Sequence, residues 1–270
     1  MKFDLNKDTA KAKFILEKRN LPAITAEVVV DLDVSGSTQS LYTSGVMQEA
    51  VQRVLPVALN FDDNGEVPVY VFNNGTNYSQ IATQLTAANY TDYVKRSIMS
   101  DHKVNKWGGT DYSPVLRQNL IDLGFLRSRD PKLAEKPKGF WGKLFSSEDP
   151  QDSYTGEVLH ANSHTGIPAI LYFITDGECG YGDEQATRDT LEECARVKSQ
   201  IYFNFIGVGS DSNFRFLKSI GDDYPNVGFA SISDLASVAS SDDLYEYLLP
   251  TELTDWLRPF INLQKTTSAV

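Results

Sequence analysis

Three short stretches of the sequence carry oxygen ligands in a pattern that suits a hard cation. The first is Asp33-Val-Ser35-Gly-Ser37, at the end of the run Glu27-Val-Val-Val-Asp-Leu-Asp33. Asp33, Ser35 and Ser37 occupy every second position, and in an extended chain that spacing sends side chains to the same side. Gly36 lets the backbone curl so that the oxygens can converge. The second stretch is Trp107-Gly-Gly-Thr110-Asp111. Its glycine pair marks a turn, Thr110 offers another hydroxyl, and Thr110 or Asp111 is placed to cap the helix that follows. The third is Ile-Thr-Asp176-Gly-Glu178, again at the end of an apolar run. Asp33, Ser35, Ser37, Thr110 and Asp176 together offer two carboxylates and three hydroxyls. Such donors suit magnesium, with manganese or calcium as alternatives, rather than zinc or copper. Two carboxylates would neutralise a dication, and neutral hydroxyls would leave it electrophilic. Magnesium seldom gives up all its waters, so one position is expected to stay open to water or to an acidic side chain of a protein partner.

These stretches need a scaffold that brings strand ends together. Apolar, β-branched runs at residues 27–32, 67–72, 167–175 and 201–208, with a shorter one at 227–231, read as buried strands. Helical periodicity falls between them, at 46–59, 90–99, 113–123, 184–199 and 243–249. Strand–helix alternation predicts an α/β fold, a doubly wound and mostly parallel sheet with helices on both faces. Sites in such folds lie at the carboxyl ends of strands beside a topological switch point, where the first and third ligand stretches end.

Composition bounds the remaining readings. A chain of 270 residues, 41% hydrophobic and 23% charged, can bury a full core as a single domain. A formal net charge of −11 argues against nucleic acid as a partner. Cys179 and Cys194 make neither a disulfide framework nor a metal motif, and read as reduced thiols. The N-terminal stretch lacks a signal-peptide core and no run is long enough to span a membrane, so a cytoplasmic location is expected. From about 124 to 166 the periodicity fades into an inserted loop. Six basic residues (Arg127, Arg129, Lys132, Lys136, Lys138, Lys143) and two acidic ones (Asp130, Glu135) give residues 126–143 a local charge of +4. Within the loop two or three aromatics are expected to tuck against the domain, while Phe140, Trp141, Leu144 and Phe145 together would form an apolar patch beside lysines. Contact with a partner or a membrane surface through Phe140 to Phe145 is the weaker alternative.

The three ligand stretches, in this order, resemble the metal-ion-dependent adhesion site of von Willebrand factor type A domains. More narrowly, Asp33-Val-Ser-Gly-Ser through Leu41-Tyr-x-x-Gly, Asn60-Phe-Asp-Asp-x-Gly, Lys106-Trp-Gly-Gly-Thr, Phe173-Ile-Thr-Asp-Gly-Glu, Phe205-Ile-Gly-Val-Gly and Asp243-Leu-Tyr resemble the bacterial tellurite-resistance and stress-response (Ter) proteins. The resemblance spans about residues 14–257, apart from 124–166. It implies that Ser35, Ser37 and Thr110 ligate a metal directly or nearly so, and that Asp33 and Asp176 act partly through metal-bound water. It also implies a non-enzymatic, metal-dependent protein-binding module in a tellurite-resistance, stress-response or phage-defence context. Thr38 stands where many relatives carry Met, and Asp31 is unusual at a position that is normally apolar.

A competing enzymatic reading exists. Asp31-Leu-Asp33-Val-Ser35 matches the aspartyl-nucleophile motif of haloacid-dehalogenase-type phosphatases, with Asp31 attacking phosphorus, Asp33 as acid–base and magnesium clamping the phosphate. Gly221-Asp222-Asp223 could serve as its later acidic motif. That reading gives Ser37, Thr110 and Asp176 no task. Glu178 and Asp183 are read as ordinary loop residues. His102, His160 and His164 are scattered and suggest no triad.

Overall fold

The computed structural model describes residues 3–21, 23–61, 64–126, 167–209, 214–239 and 243–267. Helix α1 (Leu5–Lys18) precedes β1 (Glu27–Asp33), followed by α2 (Gln39–Thr43) and α3 (Val46–Phe61). Next come β2 (Glu66–Val67), β3 (Val69–Phe72), β4 (Tyr78–Gln80), β5 (Leu85–Thr86), a π-helical stretch (Val94–Met99) and α4 (Ser113–Asp122). The second half runs β6 (Ala169–Thr175), α5 (Glu184–Arg196), β7 (Ile201–Val208), α6 (Arg215–Asp223), β8 (Val227–Ile232), α7 (Leu235–Ala239), α8 (Leu244–Leu248) and α9 (Thr251–Thr267).

Six strands form one sheet in the order β4-β3-β1-β6-β7-β8. All pairings are parallel except that of the edge strand β4 with β3. β1 and β6 are buried along their whole lengths, which is why their sequences show no polar alternation. Alternate residues face different helical layers. Val28, Val30 and Leu32 share one core with Leu16 of α1, Val51 and Val54 of α3, Leu248 of α8 and Leu253 of α9. Val29, Leu171 and Phe173 share the other with Leu116 of α4, Leu191 of α5 and Leu217 of α6. The fold is the doubly wound α/β architecture expected from the sequence. After β1 the chain crosses to β3 on one side, while β6 lies on the other side of β1, so the switch point falls between β1 and β6.

Some boundaries differ from the pattern in the sequence. The run at 67–72 is broken by Pro68: Val67 pairs with Leu85 in a separate two-stranded ladder, and only Val69–Phe72 joins the main sheet. Proline has no N–H to donate to a ladder, although its carbonyl accepts from Val30. The helix expected at 90–99 is cut to the π-helical stretch from Val94, because Asp92 adopts φ 55°. Phe125 and Leu126, expected in the inserted loop, are buried in the α4 core. The rest of that loop, including the segment from Phe140 to Phe145, lies outside the described residues, as do His160 and His164. Among the described residues no helix is long and apolar enough to cross a membrane.

Candidate metal centre

Asp33 is the last residue of β1 and Thr175 the last of β6, side by side in the sheet. The Asp33 carboxylate is fully buried and its two oxygens have different partners. Oδ1 accepts the Ser35 backbone N–H at 2.7 Å, and Oδ2 accepts the Thr175 hydroxyl at 2.6 Å. Its backbone carbonyl accepts the Tyr42 hydroxyl at 3.0 Å. Above Asp33 the hydroxyls meet. Ser35 Oγ lies 3.2 Å from Ser37 Oγ, and Ser37 Oγ donates to Asp176 Oδ1 at 2.7 Å. Thr38, buried beneath, donates to the Ser35 carbonyl at 2.8 Å and holds the curl of this loop.

The turn carrying Thr110 is stitched to the same loop. Ser35 and Gly108 form a parallel bridge, in which Gly36 N–H donates to the Gly108 carbonyl at 2.9 Å. Trp107 N–H donates to the Val34 carbonyl at 2.6 Å. Trp107 adopts φ 71°, a left-handed conformation uncommon for a bulky residue, and its ring packs edge-on against Tyr42 with centroids 5.7 Å apart. The β3–β4 hairpin braces the other side. Asn73 carbonyl accepts Asp111 N–H at 3.2 Å, Asn74 Oδ1 accepts Gly109 N–H at 3.2 Å, and Asp111 Oδ2 accepts Gly75 N–H at 2.6 Å. A Cβ at Gly108 would lie 2.5 Å from Asn74 Oδ1 and 3.0 Å from Asn73 Cγ, so a larger residue there would have to displace both asparagine side chains. Thr110 sits two residues beyond Gly108, and its carbonyl accepts Gly180 N–H at 2.7 Å from the loop after Asp176. The structure thus brings Asp33, Ser35, Ser37 and Asp176 together through their side chains, and ties Thr110 to the same three loops through its backbone.

Electrostatics make this cluster short of positive charge. Burial raises Asp33 to about 6, against hydrogen bonds from Thr175 and Ser35 that lower it, and the nearby Asp176 charge adds to the rise. Burial also raises Asp176, opposed by its bond from Ser37. Among the described residues no ion pair reaches either carboxylate. A dication would reverse both shifts. The spacing fits one: ligands about 2.1 Å from magnesium in an octahedron lie about 3 Å from their neighbours. The Ser35–Ser37 and Ser37–Asp176 separations of 3.2 and 2.7 Å bracket that edge. With both Asp33 oxygens already accepting, the residue is suited to orienting a metal-bound water. No three His, Cys, Asp or Glu side chains cluster among the described residues, so a cation here would depend on the hydroxyls as well.

Two expectations are corrected. Helix α4 is capped neither by Thr110 nor by Asp111. Its N-terminal amides, Tyr112 and Ser113, donate to Asp183 Oδ2 at 2.5 and 3.0 Å, and the Ser113 hydroxyl donates to Asp183 Oδ1. Asp183 is thus a buried cap from a distant loop, and its own carbonyl accepts Thr187 N–H at 2.9 Å at the start of α5. Glu178 is not an ordinary loop residue either, since Oε1 accepts Phe216 N–H at 2.8 Å in the first turn of α6. The loop after Asp176 therefore holds the N-termini of three helices.

Access counts against the phosphatase reading. Asp31 has no exposed surface, and its Oδ2 accepts from Asn119 Nδ2 of α4 at 2.6 Å. Burial raises it to about 8, partly offset by that bond, so near neutrality it is a protonated acid and not a nucleophile. Asp222 and Asp223 lie within α6 and not after a strand.

The vWA-TerF-like family, described as the vWA domain found in the TerF C terminus, matches residues 25–133 and 147–263. The chain belongs to this family. It is 29% identical over 259 residues to the uncharacterized protein YcbR of Bacillus subtilis (strain 168), covering 94% of this chain and 86% of the relative. Among solved structures, proximal thread matrix protein 1 of the mussel byssus aligns at 15% identity and a TM-score of 0.46, over 83% of this chain and 47% of that one. The chain thus spans about half the length of the mussel protein. An aerotolerance-related membrane protein of Bacteroides fragilis aligns at 16% identity and a TM-score of 0.41, over 79% of this chain and 94% of that one.

Proposed function

We propose that this von Willebrand factor type A domain is a non-enzymatic module that holds a divalent cation, magnesium first, and binds a protein partner whose carboxylate completes the metal shell. The observation that carries the reading is the convergence of Ser35, Ser37 and Asp176 oxygens at ligand spacing above a buried, oriented Asp33. Thr110 would supply the remaining hydroxyl from the turn bridged to Ser35. A cation held by two carboxylates and neutral hydroxyls keeps Lewis acidity for an incoming acidic ligand. The non-enzymatic part is supported by the sealed Asp31 and by thiols at Cys179 and Cys194 that burial pushes well above the thiolate range. Membership of the family makes a tellurite-resistance, stress-response or phage-defence setting in the cytoplasm the natural context, although a fold does not set a task.

Thermal unfolding with magnesium and with chelator tests the reading. Magnesium should raise the midpoint of the wild-type chain through mass action on the folded state, and Ser37→Ala should remove most of that rise. An equal response to magnesium in Ser37→Ala would contradict it.

A further inference from the structure

The loop that leaves Asp176 does more than cap helices. Cys179 is buried in the core with α4 and α5, and Asp183 is held under the start of α4. Between them, Asp183 N–H donates to the Gly180 carbonyl at 2.8 Å and closes a turn, and Gly180 N–H donates to Thr110. A Cβ at Gly180 would lie 2.8 Å from Asp111 Oδ1, so a side chain there would push that carboxylate aside. On this anchored turn stands Tyr181, 95% exposed. A large aromatic on a loop pinned at both ends, one residue from a bond to the Thr110 carbonyl, is displayed beside the cluster without being needed by the core.

Its neighbours keep it clear. At Gly182 and Gly177 an added Cβ would meet no atom of the described residues within 4 Å, and neither residue has a positive φ. No contact among the described residues demands glycine at these places. What glycine provides is bare backbone on the approach to the site, where another chain can come close. Gly36, Ser37 and Gly109 in the loops of the cluster are exposed and small, and Tyr181 is the exposed aromatic of the loop after Asp176.

We infer that Tyr181 is the specificity-determining anchor of the partner surface, packing against a large apolar side chain of a protein segment whose acidic residue reaches the metal. This rests on the metal-dependent protein-binding reading above. Tyrosine loses little conformational entropy when fixed and is enriched among residues that dominate interface energy. The pinned turn lowers the cost of ordering further. The chain's net charge of −11 disfavours a partner segment rich in acids beyond the one that ligates. The partner is therefore one acidic residue with an apolar neighbour in an otherwise neutral or basic segment.

The test uses displayed peptides with one fixed aspartate among randomised positions, selected on the full chain in magnesium. Enriched peptides are then measured by fluorescence anisotropy. They should carry a large apolar residue at a constant offset from the aspartate, and chelator should abolish binding. Tyr181→Ala should weaken binding about tenfold or more and Tyr181→Phe by less than about threefold, while the magnesium affinity of both variants stays at the wild-type value. If Tyr181→Ala binds such peptides as the wild type does while chelator still abolishes binding, the anchor is wrong and the metal-dependent module stands. If no enriched peptide depends on magnesium, the module reading fails and the anchor with it.

Discussion

Two aspartates on one strand show how differently the floor and the mouth of this cluster are built. Asp31 and Asp33 are two residues apart on β1, and both lie out of solvent. Asp31 faces α4, receives one bond from Asn119 and is pushed to about 8 by burial. Asp33, one register step nearer the strand end, receives Ser35 N–H and the Thr175 hydroxyl and is pushed only to about 6. The lesson is that position along a strand of a parallel sheet decides whether a carboxylate is sealed beneath a helix or set at the base of a candidate ion site. Beyond the strand end the contrast continues, from buried Thr38 to exposed Ser37 and to Tyr181.

The strongest way to break this comparison is to cut what joins floor to mouth. Asp183 accepts two amides and two hydroxyls in a buried place. Asp183→Ala leaves them without a partner and should cost about 2–4 kcal/mol of stability in urea unfolding. A loss under about 1 kcal/mol would show that the loop after Asp176 is not held by this cap.

Next in size is the pH dependence of the floor. The folded-state value of Asp31, about 8, exceeds its unfolded value of 3.8. Its contribution is therefore fully present below about pH 4 and is lost as pH rises toward 8. In metal-free protein, Asp31→Asn should remove a fall in stability of roughly 2–4 kcal/mol between about pH 5 and 8. Asn119 Oδ1 lacks a hydrogen-bond partner among the described residues, so an amide at position 31 has an acceptor to use. Parallel pH profiles for wild type and variant would contradict a neutral Asp31.

The mouth should respond to pH in its own way. Asp33 must lose its proton to serve a cation, and burial pushes it up to about 6. Magnesium affinity should therefore hold above about pH 7 and drop by about tenfold per unit below 6. A profile flat down to pH 5 would mean Asp33 does not act on the metal. Smallest of all, Gly182→Ala should change stability by less than about 0.5 kcal/mol, since its methyl meets open space. A larger loss would mean the mouth is packed by the chain itself.

The contrast also explains what could be read from the sequence. β1, β6 and β7 were legible because strands covered on both faces show unbroken apolar runs. The candidate site was legible because Asp33, Ser35 and Ser37 keep a local spacing, and glycines mark the turns beside Thr110 and Asp176. Asn119, Thr175, Asp183 and Glu178 were not, because each acts across a long gap in the chain. Asn119 lies 88 residues from Asp31, and Tyr112 lies 71 from Asp183. Only the fold brings such pairs together, and a lone Asp or Asn in a loop or helix carries no local sign of its partner. The Thr before Asp176, ending a buried strand, is the one of these whose hydroxyl could have been suspected.

The most direct test of the central claim is calorimetric titration of magnesium into metal-free protein, beside Asp33→Ala and Thr110→Ala. Asp33 is the buried base of the cluster and Thr110 comes from a separate loop, so both must matter if three loops hold one ion. The account predicts a single site in the wild type that both substitutions abolish or weaken at least about tenfold, with each variant still folded. Binding that survives both substitutions, or no binding by the intact chain at millimolar magnesium, would contradict it.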